Sequence, residues 1–209
     1  MRAGVIAKTR LVILSIASMA FLSTVAAGAD KMFQPGHATD YAHQMSDQVT
    51  LGAKSFDTEE LTAEAFGKKA DLLKYGIVPI LVVIENQRSK SLDLQDIKVS
   101  LVSSDGRHVD AMNPDDLQFQ GNKKRHPTVG PLPRVPLPKK GNPLASPEVT
   151  DRAFSAKMLP PKDSTSGFFF FEARPEPGDK LYVSGIKDAR SGEEIMYFEF
   201  PLDGKTQEQ

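Results

Sequence analysis

The sequence predicts a mainly β domain: an immunoglobulin-like antiparallel β-sandwich of about seven strands, with one short helix and a long proline-rich basic insertion. Short apolar alternations recur at roughly ten-residue spacing between turn signals, which is typical of sandwiches. One segment alone, residues 59–75, carries helix caps and helical spacing. The chain has no cysteine and no tryptophan. It therefore lacks the Cys…Trp…Cys pattern of true immunoglobulin domains, and the likeness is one of architecture.

Residues 1–29 have the pattern of an export signal. Three basic residues precede an apolar run over 11–22, and the small residues Ala27-Gly28-Ala29 predict cleavage after Ala29. The run is shorter than the roughly 20 residues of a membrane-spanning helix. Cleavage removes three basic and no acidic residues, so the formal charge falls from −1 to −4. We therefore expect a periplasmic or secreted protein.

The composition narrows the function classes. Without cysteine, an exported domain depends on its core instead of disulfides, and it lacks the residue that carries a bacterial lipid anchor. A weakly acidic chain gives no support for nucleic-acid binding, which goes with a strong basic excess. The longest apolar run after the signal, residues 77–84, is too short to cross a membrane. We therefore expect no transmembrane segment in the mature chain.

Polarity divides the chain into five segments. They are the signal (1–29), a polar, aperiodic arm expected to be flexible (30–48), the sandwich domain (49–203), a proline-rich basic insertion within it (121–147) and a polar tail (204–209). The insertion is placed inside the domain because strand-like patterns resume after it.

A helix is predicted just after the first strand, which covers residues 49–56. Asp57 or Thr58 can cap its start, and Gly67 can end it. A second helical turn then precedes Gly76. The alternative is one kinked helix over the whole segment.

Residues 77–85 form the strongest predicted strand. Their side chains are apolar at consecutive positions and mostly β-branched. Both faces of the strand should therefore be covered, one by the opposing sheet and one by the preceding helix. Pro79 has no N–H for a ladder and is expected at the start of the strand or at an edge.

The next strand is predicted to contain a bulge. Apolar residues alternate from Leu92 and again from Ile97, with a change of parity between the two sets. A bulge near Gln95-Asp96 would return both sets to one face. Asp105-Gly106 predicts a hairpin turn with a short return strand, and residues 113–117 predict a capped single turn.

Three further strands are predicted after the insertion and a strand-like segment at 154–159: 167–173, 181–186 and 196–202. Alternation in the first of them sends two rings of Phe168 to Phe171 to the core and two to the other face. The outward pair lies under the helix or the insertion, or it is an exposed pair that binds a partner or a glycan. In the last strand, one face is lined by Met196, Phe198, Phe200 and Leu202.

The insertion is the candidate binding surface. Its prolines favour an extended conformation that keeps side chains displayed, and its cations contrast with the net negative charge of the chain. These cations are Lys123, Lys124, Arg125, Arg134, Lys139 and Lys140. The expected partners are an anionic envelope polymer, lipid head groups or an acidic envelope protein. The competing interpretation is a solvated loop.

No pattern in the sequence identifies a catalytic residue, a cofactor site or a metal site. His37, Asp40 and His43 are spaced so that one helix face cannot present both imidazoles. Nucleophile-elbow, phosphate-loop and zinc-protease motifs are missing. We therefore expect a non-catalytic binding or scaffolding protein of the cell envelope. The alternatives are a hydrolase or isomerase with a cleft between sandwich and insertion, and a structural module of an envelope assembly.

One block of the chain resembles a group of uncharacterised exported bacterial proteins. The block contains Phe66-Gly67, Gly76-Ile77-Val78-Pro79 and Ile84-Glu85-Asn86. It is similar to their pattern of a helix ending in Phe-Gly, followed by Gly-Ile-x-Pro and an apolar strand ending at Asn. Residues 159–168 and 188–192 resemble their second sheet. The resemblance covers about half of the chain and implies an immunoglobulin-like β-sandwich in the envelope, with no activity and no catalytic residue.

Overall fold

The computed structural model describes residues 33–120, 142–195 and 197–203 of the chain. This part is mainly β, as predicted: eleven strands form three antiparallel sheets, and the helices are short. The strands are β1 (Ala42–Ser46), β2 (Val49–Ser55), β3 (Val78–Asn86), β4 (Leu92–Asp93), β5 (Lys98–Val102), β6 (His108–Asp110), β7 (Met158–Leu159), β8 (Ser164–Phe171), β9 (Lys180–Ser184), β10 (Lys187–Asp188) and β11 (Phe198–Pro201). The predicted count of about seven was too low, because two-residue strands leave no alternation to recognise.

The helices are α1 (Glu59–Phe66), α2 (Leu117–Gln120) and α3 (Pro147–Asp151), and 3₁₀ turns occur at Ala38–Asp40, Leu73–Tyr75, Pro114–Asp116 and Pro143–Ala145. The strand orders are β1-β2-β3-β8 in sheet 1, β10-β4-β7 in sheet 2 and β11-β9-β5-β6 in sheet 3. Of the helices in the described part, none has both the length and the hydropathy of a membrane span.

Buried apolar side chains form two clusters. The central core contains residues of all three sheets, among them Val49, Leu51, Ile80, Val82, Ile84, Leu92, Leu94, Val99, Leu101, Leu159, Phe171, Leu181, Val183, Phe198 and Phe200. The outer core lies on the other face of sheet 1 and contains, among others, Ala38, Phe56, Ala65, Phe66, Leu81, Val83, Leu117, Leu144, Val149, Phe168 and Phe170. Sheet 1 therefore buries both of its faces.

Strand β3 shows this double burial, as its sequence predicted. Ile80 and Val82 belong to the central core, whereas Leu81 and Val83 belong to the outer core with residues of α1, because successive side chains of a strand point to opposite faces. Pro79 is the second residue of β3. It lies just beyond the ladder with β2, so its missing N–H breaks no bond of that pair.

Helix α1 begins and ends at the predicted signals. The Thr58 side chain accepts a hydrogen bond from the N–H of Leu61, and Gly67 ends the helix with φ 76°. A separate 3₁₀ turn follows and ends at Gly76, which is left-handed at φ 76°. The structure therefore contains two short helical pieces and not one kinked helix.

Residues 38–48 do not form the flexible arm that the sequence predicted. Strand β1 pairs with β2 along its whole length, from Ala42 opposite Ala53 to Ser46 opposite Val49. Before it, the turn at Ala38–Asp40 packs so closely on β2 that a Cβ on Gly52 would collide with the Ala38 carbonyl oxygen. Main-chain hydrogen bonds hold an edge strand without needing an apolar pattern, so composition gave no sign of it.

The change of parity after Leu94 has a different cause from the predicted bulge. Leu94 and Val99 both reach the central core, but the chain between them leaves sheet 2 after β4 and enters sheet 3 at β5. A tight turn makes the crossing, with the N–H of Ile97 donating to the Leu94 carbonyl at 3.2 Å. The extra residue therefore marks a change of sheet.

Two predicted turns are confirmed. In the β5–β6 hairpin, Gly106 has φ 84° and donates its N–H to the Ser103 carbonyl at 2.8 Å. Farther on, the Asn113 side chain accepts the N–H of Asp115 and caps the turn at Pro114–Asp116. This turn leads directly into α2 and the insertion.

Candidate functional site

The predicted binding cations lie outside the described residues. They are Lys123, Lys124, Arg125, Arg134, Lys139 and Lys140. The signal over 1–29 and the tail over 204–209 also lie outside. The structure does describe residue 120, which precedes the insertion, and residues 142–147 at its end.

The two ends of the insertion meet in a short stem. The Asn142 side-chain amide donates to the carbonyl of Gln118 at 2.5 Å. Leu117 and Leu144, one on each side of the stem, are both buried in the outer core. Next to them, Phe119 is 61% exposed. Residue 120 and residue 142 are thus held at one place on the surface.

A cleft of about 470 Å³ lies beside this stem. Its walls are the start of β5, the crossover at 110–114, the ring of Phe154 and the middle of β8. The crossover wall continues through Asn113 and Pro114 into the stem, so cleft and insertion share a boundary. The volume is in the range of small-molecule sites.

Main-chain hydrogen bonds hold the crossover wall across two sheets. The N–H of Ala111 donates to the Val99 carbonyl on β5 at 3.0 Å, and the N–H of Met112 donates to the Phe170 carbonyl on β8 at 2.7 Å. The crossover therefore joins an edge of sheet 3 to an edge of sheet 1. The position of this wall is therefore fixed by hydrogen bonds to two strands.

The opposite wall is a segment that lies directly on β8. The N–H of Phe154 donates to the Phe168 carbonyl at 3.0 Å, and the N–H of Phe168 donates to the Arg152 carbonyl at 2.8 Å. The rings of Phe154 and Phe169 stack at 5.0 Å with 23° between their planes. They form an aromatic side of the cleft.

Three polar residues, Lys98, Asp110 and Asn113, also line the cleft. Such a lining suits a ligand with an apolar body and a few polar groups. Asp110 is the single carboxylate among the lining residues, and no histidine lines this cleft. The paired carboxylates or paired histidine that the hydrolase or isomerase alternative requires do not occur in the lining of this cleft.

The phenylalanines of β8 are covered, as one of the two interpretations predicted. Phe168 contacts Phe33, Phe56 and Phe66 at centroid distances of 4.6–5.6 Å. Phe170 lies in the same outer core, and Phe171 is buried in the central core. Phe169 is partly buried. The interpretation as an exposed phenylalanine pair is therefore wrong.

An aromatic pair with one exposed member occurs instead at sheet 3, where sequence reasoning did not place it: Tyr182 is partly buried and Tyr197 is exposed. Tyr182 and Tyr197 lie with centroids 5.3 Å apart, and Tyr197 is 50% exposed. The sequence did carry a signal: Tyr182 lies between the core residues Leu181 and Val183 of β9, and Tyr197 directly precedes the core residue Phe198, which begins β11. What the alternation could not reveal is that the two strands are neighbours.

The histidine and aspartate residues near the N-terminus have separate local partners. His37 Nδ1 lies 3.2 Å from a Glu85 carboxylate oxygen. Asp40 accepts the N–H of His37 at 2.7 Å. His43 Nδ1 lies 2.9 Å from the Tyr41 carbonyl oxygen. Within residues 33–120, 142–195 and 197–203, no group of three or more His, Cys, Asp or Glu side chains is arranged to hold a metal ion.

A charged cluster just beyond the C-terminal end of β3 joins three turns. The Arg88 guanidinium lies 2.9 Å from Asp47 and 3.3 Å from Asp188, and the Lys90 ammonium lies 3.2 Å from Asp188. The N–H of Ser191, with lesser contributions from Arg190 and Lys90, lowers the pKa of Asp188 to about 2 against the opposing effect of burial. The buried Asp188 carboxylate accepts hydrogen bonds from these donors, so the cluster links the three turns to one another.

Comparison with known proteins identifies no family. No family model matches the chain, and no curated protein matches it. A solved structure, described as the X-ray structure of Northeast Structural Genomics Consortium target SoR45, is similar over 79% of this chain and 95% of its own. The identity is 10% and the TM-score 0.33, so this likeness carries no conclusion about fold or function.

Proposed function

We propose that this chain is an exported, non-catalytic binding or scaffolding protein of the cell envelope, periplasmic or secreted, that contacts an anionic polymer or acidic envelope protein through the cations of its insertion. The observation that carries the proposal is the stem at Gln118 and Asn142. The stem holds Gln118 and Asn142 together, and all six cations lie between these two positions in the sequence. A local positive charge of this size attracts anionic partners even though the whole chain is acidic.

The cleft supports the same proposal. Its lining includes Asn113 and Pro114, a few residues before the insertion, and its stacked rings of Phe154 and Phe169 offer apolar contact. A partner with both anionic and apolar groups would use the two together. Phe119, exposed at the stem, adds a further apolar contact.

We further propose that sheets 1 and 3 are the two layers of an immunoglobulin-like sandwich. The order β2-β3-β8 corresponds to strands A-B-E of that fold, and β11-β9-β5-β6 corresponds to G-F-C-C′. Residues of both sheets share the central core, and the Gln44 side chain on β1 accepts the N–H of Glu199 on β11. In this scheme the cleft occupies the edge of β8 where strand D would lie.

The test replaces all six cations of the insertion with glutamine in the mature chain. Retention on isolated bacterial envelope material at low salt should be lost, because electrostatic contacts are strongest there. A matched control neutralises six exposed cations elsewhere and so has the same net charge. These are Lys68, Lys69, Lys74, Lys157, Arg174 and Arg190. Retention of the control and loss of the insertion variant support the proposal, and equal retention of both variants refutes it.

A further inference from the structure

We propose that the outward face of sheet 3 is a binding site for a neutral polysaccharide, with Tyr182 and Tyr197 as its stacking surface. We call these two residues the tyrosine platform. Their ring centroids lie 5.3 Å apart with 31° between the planes, and Tyr182 is partly buried beside the more open Tyr197. Half of the Tyr197 side chain is open to solvent.

The register of sheet 3 puts the platform on its outward face. Leu181 and Val183 point into the central core, so Tyr182 between them points outward. Phe198, the first residue of β11, lies opposite Val183 and also points inward. Tyr197 directly precedes β11, and its contact with the Tyr182 ring places it on the same outward face. Because Glu199 is the partner of Tyr182, Tyr197 two residues earlier lies diagonal to it, close enough for aromatic side chains to touch.

Charge on this face favours an uncharged ligand. Its outward side chains include two cations and two carboxylates: Lys98 on β5, Lys180 on β9, Asp110 on β6 and Glu199 on β11. Lys180 and Glu199 are paired with each other at 2.8 Å. An anionic polymer would need an excess of cations here, and a cationic ligand an excess of carboxylates.

The chemistry of the platform matches a sugar. A pyranose ring presents C–H groups on its faces and hydroxyl groups at its edges. Tyrosine offers an apolar ring face with a polar tip, and the neighbouring Lys180 and Glu199 can exchange hydrogen bonds with hydroxyls. A peptide strand would instead need open main-chain groups. Strand β9 is already paired on both sides, with β11 and β5, and on the edge strand β11 the N–H of Glu199 already donates to the Gln44 side chain.

Affinity electrophoresis of the mature chain tests the proposal. The gels contain laminarin, hydroxyethyl cellulose or galactomannan as neutral probes, and alginate as an anionic one. We expect at least one neutral polysaccharide to retard the protein, with little dependence on salt. Tyr197→Ala should weaken this retardation by roughly tenfold or more, a loss consistent with removal of one aromatic stacking contact. Tyr197→Phe keeps the ring and should retain most of the binding.

Two controls make the result decisive. Met158→Ala removes another exposed apolar side chain, 58% exposed on β7, and should not change the migration. Because Tyr197 is half exposed, its alanine variant should keep the thermal unfolding curve of the wild type. No retardation by any neutral probe, retardation by alginate alone, or equal retardation of wild type and Tyr197→Ala would overturn the proposal. The variant lacking the six insertion cations should still bind, which separates this site from the one proposed above.

Discussion

A Cβ atom on Gly167 would lie 2.5 Å from the Cα of Phe154, so the segment that forms one wall of the cleft rests directly on the backbone of β8. Real Cβ atoms do not approach a backbone this closely, and the neighbour is main chain that cannot rotate away. Position 167 therefore needs glycine because of this contact and not because of its backbone conformation, which is that of a regular strand.

Replacing Gly167 with alanine should push the Phe154 segment off β8. The expected loss in the free energy of unfolding is about 1–3 kcal/mol, the usual cost of overpacking. Urea unfolding measures it. The control is Ser166→Ala at the neighbouring exposed position, which should change stability by less than about 0.5 kcal/mol. Similar losses of unfolding free energy in the two variants would contradict the close contact between Gly167 and Phe154.

Phe168 should be a major source of stability. Its ring is 2% exposed and contacts the rings of Phe33, Phe56 and Phe66. Phe168→Ala should cost about 3–5 kcal/mol, because it removes buried apolar area and leaves a cavity. Phe119→Ala, at a ring that is 61% exposed, should cost less than about 0.5 kcal/mol. Guanidinium unfolding compares the two, and equal losses would contradict the assignment of the outer core.

The N-terminal cap of α1 should contribute measurably to the stability of the protein. Thr58 Oγ1 accepts the N–H of Leu61 at 3.3 Å, and without it that donor has no partner at the helix start. Thr58→Ala should lower the free energy of unfolding by about 1 kcal/mol. Glu64→Ala, on the exposed side of the same helix, should stay within about 0.5 kcal/mol of the wild type. If Thr58→Ala is as stable as the wild type, the assignment of Thr58 as the helix cap is wrong.

Acid should weaken the protein partly through Asp188. The folded-state pKa is lowered from 3.8 to about 2, so between these values the unfolded chain binds more protons than the folded one. Stability therefore rises with pH across this window and is lost as the pH falls from 3.8 towards 2. Urea midpoints at several pH values measure the slope. Asp188→Asn should be less stable at neutral pH and show a shallower slope in this window. An unchanged slope would contradict the linkage.

Several elements were predictable because their causes are local. The double apolar face of β3, the Thr58 cap with Gly67 at the end of α1, and the turn at Asp105-Gly106 each depend on residues within a few positions of one another. These signals set backbone preferences before any tertiary contact forms. Their boundaries in the structure agree with the prediction to within a residue or two.

Other elements have no local cause. Strand β1 is largely polar and exists because β2 offers it a row of main-chain partners. The two-residue strands of sheet 2 join residues more than sixty positions apart, such as Leu92 and Leu159. The walls of the cleft likewise come from Lys98, Asp110, Phe154 and Phe169, and no spacing rule connects those positions.

The order of residues by itself determined that this chain is mainly β, where its one clear helix begins and ends, and which segment collects the positive charge, because periodicity, capping and composition act over short stretches of chain. Tertiary structure alone decided which strands are neighbours. That choice buried the phenylalanines of β8, brought Tyr182 to Tyr197, and closed the stem at Gln118 and Asn142. These outcomes depend on pairing between distant segments, whose free energy is gained only when the sheets and their shared core form together.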